Sequence, residues 1–150
     1  MGTINVGAGN SNYIHSGPSG LLSPIIWRIL SALTLLAMGG IHLYLVLDGV
    51  GGVLGVLFVL NAIGGLLLAI AMLAVPRRLL LLASVLSLLF IVGTLLALIL
   101  ALTVGLFGIT ETLSFTLVPT TLVVEPIGTI VLAVTTVLAL RMQRTRTGSS

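Results

Sequence analysis

The stretch LLLLASVLSLLFIVGTLLALILALTV, residues 79–104, runs for 26 residues without a single charge. At ~1.5 Å of rise per residue, a helix of that length crosses a hydrocarbon core of ~30 Å. A membrane β-strand would need only about ten residues and would alternate polar with apolar, which this stretch does not do. It reads as a transmembrane helix, and its borders agree: Pro76, Arg77 and Arg78 stand before it, and the uncharged run continues to Thr110.

Working outward, three more spans of the same kind appear. One covers 25–47, opened by Pro24 at a helix-starting position with Trp27 and Arg28 beside it. Another covers 53–75 and is ended by Pro76. The last covers 119–140 and stops at Arg141. The expected fold is an all-α membrane protein, four transmembrane helices in a compact bundle over 24–141. A polar, flexible N-terminal tail over 1–23 and a basic C-terminal tail over 142–150 would flank it. The N-terminal segment lacks a basic stretch followed by an apolar core, so it does not read as a signal peptide.

Glu125 stands directly before Pro126, and a proline removes one N–H from the ladder and frees the carbonyl of Leu122. The fourth helix therefore either starts near Pro126 with Glu125 as its cap, or starts near Pro119 and kinks at Pro126. Sixteen residues from Pro126 to Arg141 would be short for a crossing, which favours the kinked form.

Composition supports the membrane reading. Six Lys+Arg and three Asp+Glu make 6 % of 150 residues, against roughly 25 % in soluble domains. The apolar set makes 58 % and the mean hydropathy is +1.34. So few charges cannot clothe a soluble enzyme or nucleic-acid binder of this length. The net charge of +3 marks topology instead. With the amino terminus inside, Arg28, Arg77/Arg78 and Arg141/Arg144/Arg146 all fall on the cytoplasmic side, with Asp48, Glu111 and Glu125 toward the outside. The positive-inside rule then gives a multi-pass protein of the plasma membrane with both termini cytoplasmic.

Few polar groups remain within the spans. His42 lies ~7–8 Å, Asn61 ~12 Å and Glu125 ~9 Å below the outer ends of their helices, counting helix rise. The three share one depth band, and an ionised carboxylate there costs ~2.5–3.5 kcal/mol on insertion scales. His42, with Asn61 bridging, is the expected partner of Glu125. The cluster reads either as an interhelical lock or as a site for a proton, ion or small ligand. Small residues at four-residue spacing, Gly65 and Ala69 in the second span and Gly93, Ala97 and Ala101 in the third, are the expected helix-packing positions.

Several chemistries lose their residues. With no cysteine there is no disulfide, thiolate metal site or paired-cysteine quinone reduction. Only one histidine lies in a span, so a bis-histidine haem within one chain is not expected. No cofactor, metal site or catalytic constellation is visible, and the chain does not read as an enzyme.

Gly39–Leu45 (GGIHLYL) followed by Leu57–Ala62 (LFVLNA) resembles a group of small actinobacterial four-helix membrane proteins of uncharacterised function, over Gly39 to Ala71. In that group a His-Leu-x-Leu/Tyr end of helix 1 leads through a glycine-containing loop into helix 2. Here the loop departs, reading LDGVGG over 47–52 where an aromatic and basic segment belongs. The resemblance implies location and topology but no activity.

The functional expectation is a non-catalytic accessory or scaffold subunit of a larger membrane complex, a respiratory assembly among the candidates. Its partners would be the bilayer and either another membrane protein or further copies of itself, with no nucleic acid. Two alternatives stand beside it. One is a small oligomeric transporter or channel titrating Glu125 and His42. The other is a quinone-contacting subunit, since His42 and Tyr44 could offer donors beside an apolar slot.

Overall fold

A computed structural model describes residues 24–105 and 117–147 as four helices. The N-terminal tail over 1–23, Glu111 and residues 148–150 lie outside the described residues. Helix α1 is Pro24–Leu47, α2 Gly52–Ala74, α3 Leu80–Thr103 and α4 Val118–Thr147. All four are long and apolar enough to cross a membrane.

The helix ends follow from local chemistry. Gly49, at φ 104°, closes α1 with two backbone bonds, its own N–H to Val46 and the Val50 N–H to Leu45. That is the left-handed glycine stop that satisfies terminal carbonyls. Val75 turns extended before Pro76 and ends α2. Gly105, at φ 82°, donates to the Leu100 carbonyl at 3.0 Å and ends α3, although the uncharged run goes on.

Helix α4 departs from expectation at its far end. It does not stop at 140 but continues to Thr147, so most of the expected tail is helical. Charge marks where an apolar span stops, whereas Arg141, Met142, Gln143 and Arg144 are all good helix formers. The Gln143 amide also reaches the Arg78 carbonyl at 3.4 Å. Toward its start, α4 is continuous through Pro126, beginning at Val118.

The helices run up and down in a ring, each packed on its neighbours in sequence, with α4 closing against α1. The seam between α2 and α3 is the loosest of the four. The α1–α2 seam is tight because two glycines meet in it. A Cβ on Gly65 would lie 2.9 Å from the Leu35 carbonyl oxygen and 3.4 Å from Gly39 Cα. Ala69 continues that seam, 1 % exposed. Gly128 on α4 does the same on the other side, where its added Cβ would run into Ile91 Cδ1 and lie 3.3 Å from Thr34 Cβ.

Of the α3 small residues, Gly93 departs from the expected packing face. Gly93 is exposed, with nothing within 4 Å of an added Cβ. Ala97 and Ala101 line a cavity, Ala101 buried and Ala97 half-buried. The mid-bundle core is filled by Leu35, Met38, Ile91 and Leu132, with Met72 near the α2 C-terminus, all 0 % exposed.

Candidate functional site: a polar cavity at the arginine-poor end

A cavity of about 90 Å³ lies among all four helices, between the C-terminal halves of α1 and α3 and the N-terminal halves of α2 and α4. His42, Asn61 and Glu125 all line it, together with Thr94 and Thr121. Helix geometry explains the company. Thr121 and Glu125 are four residues apart and share one face of α4. Thr94 sits three residues past Ile91, which fills the core one turn below.

His42, Thr94 and Thr121 are oriented by backbone carbonyls, and Glu125 is not. The His42 Nδ1 lies 2.9 Å from the Met38 carbonyl. A carbonyl only accepts, so Nδ1 carries the proton, and the Nε2 of the neutral ring is left with its lone pair. Phe58 steadies the ring edge to face, with centroids 4.9 Å apart. Thr94 donates to the Ile91 carbonyl at 2.9 Å and Thr121 to the Leu117 carbonyl at 2.9 Å. Thr121 thus spends its hydroxyl proton on backbone, whereas Thr94 also stands close enough to Glu125 to turn its proton toward the carboxylate, and both oxygens keep lone pairs.

Glu125 is the exception. It is 1 % exposed, and neither carboxylate oxygen has a hydrogen-bond partner among the described residues. The expected His42–Glu125 pair is therefore not joined by a hydrogen bond, because the histidine N–H goes to its own helix. Leaving a buried polar group unsatisfied costs about 1–3 kcal/mol, more for a charged one. A folded chain tolerates that where a ligand or water completes the site.

The walls decide how the cavity is reached. Its lining residues from α1 and α4, His42, Leu45, Val118, Thr121 and Glu125, are all buried. Those that are half-buried, among them Phe58, Asn61, Ala97 and Leu98, all belong to α2 and α3. The mouth therefore lies along the loose α2–α3 seam. One turn below Asn61 the Phe90 ring covers Gly64, where an added Cβ would lie 2.8 Å from it, and closes the seam.

Below this level, among the described residues, buried hydroxyls are few, and Ser87 Oγ, 0 % exposed, has no hydrogen-bond partner. Ser84, Thr34 and Thr136 donate to carbonyls of their own helices. Thr135 gives its proton to the Val131 carbonyl at 2.8 Å, leaving Ser31 as donor in the 2.9 Å bond that ties α1 to α4.

Sequence reasoning missed Thr121, which the four-residue spacing from Glu125 could have shown. It also missed Thr94 and Phe58, for which spacing carries no signal. Arg28 was read as a topology marker only. In the structure it also caps α2, with Nε 2.7 Å from the Met72 carbonyl and a terminal nitrogen 2.9 Å from Leu73 and 2.8 Å from Val75. Among the described residues no group of three His, Asp or Glu side chains could hold a metal ion. No family model, curated protein or solved structure matches the chain.

Proposed function

We propose that the chain is a non-catalytic, multi-pass protein of the plasma membrane that binds a small ligand in a blind, largely apolar pocket carrying a few polar groups, as an accessory subunit of a larger membrane assembly. Four helices of sufficient length and hydropathy support the membrane setting. Arg28, Arg77, Arg78, Arg141 and Arg144 gather at one end of the bundle, which supports a cytoplasmic placement of that end and of both termini. The pocket then lies in the outer half of the bilayer.

The observation that carries the reading is the orphaned Glu125 carboxylate in a cavity beyond which, one to two helix turns deeper, fully buried Leu35, Met38, Ile91 and Leu132 fill the core. An ionisable group inside a membrane marks function by default, and the apolar floor separates holding a ligand from passing one through. The test is a flux assay in proteoliposomes carrying a pH-sensitive or cation-sensitive dye. Vesicles with the protein should leak no faster than empty ones under an imposed gradient. Flux that disappears in the Glu125→Gln variant would establish the transporter alternative instead.

A further inference from the structure

The cavity has an electrostatic character that narrows its ligand. Glu125 is the one acidic lining residue, no lining residue is lysine or arginine, and His42 lines the cavity as a neutral ring with its Nδ1 proton on the Met38 carbonyl. The His42 Nε2 presents a lone pair, the two threonine oxygens present lone pairs, and the Asn61 amide supplies a carbonyl. The site is thus rich in acceptors and carries at most one charge, a negative one. Such a set answers a donor-rich cation, and a primary ammonium brings three N–H groups and a positive charge.

The rest of the lining says what the ammonium is attached to. Leu45, Leu54, Leu57, Leu98 and Val118 make the walls apolar. A metal ion stripped of its water would need about six oxygen ligands, more than Glu125, Thr94, Thr121 and Asn61 together supply. About 90 Å³ holds a head group and the first carbons of a chain, no more. Next in sequence to the lining residues Asn61 and Ala97, Leu60 and Leu96 are 58 % and 54 % exposed, so the outer surface of α2 and α3 at this level is apolar. In the membrane setting proposed above, the mouth between α2 and α3 opens sideways into the hydrocarbon.

We infer that the α2–α3 mouth admits a single-chain primary alkylamine from the outer leaflet, seating its ammonium on Glu125, His42 and Asn61 with its chain lying out through the mouth into lipid. The inference rests on the pocket reading and adds the ligand class and its route. Glu125 supplies the counter-charge, while His42, held by Met38 and Phe58, and Asn61 take the remaining N–H groups. Phe90 over Gly64 sets the depth, because it blocks the seam below.

The experiment is saturable binding of radiolabelled n-decylamine to the full chain in zwitterionic nanodiscs, with empty discs subtracted. Wild type should saturate at one amine per site. Glu125→Gln should weaken binding at least about ten-fold, the scale of one charged hydrogen bond. Ala97→Phe, which fills the mouth, should abolish it, and both variants are checked for an unchanged elution profile. Unlabelled n-decanol or decyltrimethylammonium should compete at least about ten-fold more weakly than decylamine, lacking the charge or the N–H donors. Equal competition by decanol, or binding indifferent to Glu125→Gln, would overturn the ammonium assignment, as would displacement by equimolar sodium or potassium. An Ala97→Cys variant labelled by a small thiol reagent in the same discs keeps the two readings apart. No saturable amine binding with that thiol reactive overturns the ligand class alone, and an unreactive thiol overturns the pocket.

Discussion

Gly65 and Gly93 show what a single residue contributes and how differently two glycines in one small-residue pattern behave. Adding a Cβ to Gly65 brings it to 2.9 Å from a backbone oxygen that cannot swing aside. Gly65→Ala should therefore lower stability by about 1–3 kcal/mol, the usual cost of overpacking. Gly93 meets nothing within 4 Å, so Gly93→Ala should be neutral or stabilising by up to about 1 kcal/mol through helix propensity. Thermal unfolding in detergent reads both, and equal penalties would show that the two seams are alike. The four-residue spacing was legible in the sequence at both places. Which stripe meets a helix was not, because spacing fixes a face of one helix without saying what stands opposite. The same limit explains His42 and Glu125. Counting rise placed them at one depth, and they do line one cavity, but the direction of each side chain was set by Met38 and by the absence of a donor.

At the scale of elements, helix bounds were readable wherever a proline or a glycine acts. Pro24, Pro76 and Gly49 each mark an end that holds to within a residue or two. The far end of α4 was not readable, since arginine ends an apolar run without ending a helix. Arg28 links two elements in a way no hydropathy plot carries. Its guanidinium covers three carbonyls at the α2 C-terminus, where the helix dipole is negative. Arg28→Gln should lower stability by about 1.5–3 kcal/mol in the same unfolding assay. Arg28→Lys should recover only part of it, because one ammonium cannot present the planar fork that reaches several carbonyls. Full rescue by lysine would reduce the contact to simple charge.

For the whole molecule, the four-helix architecture was legible because length, hydropathy and punctuation all pointed to it. The ring order, the looseness of α2 against α3 and the dry floor were not, since they depend on how volumes fit after folding. Those features carry the functional reading: a largely apolar chamber with a polar cluster, a side mouth and no exit below. The central claim is that this chamber is accessible and blind, and the absence of cysteine in the chain makes a direct measurement available. Single variants Ala97→Cys, in the chamber wall, and Ser87→Cys, 0 % exposed beneath the floor, are reconstituted and treated from both sides with 2-aminoethyl methanethiosulfonate. The thiol at position 97 should be modified and the one at position 87 should resist from either side. Modification at both positions would make the molecule a conduit, and modification at neither would make the chamber a closed packing void.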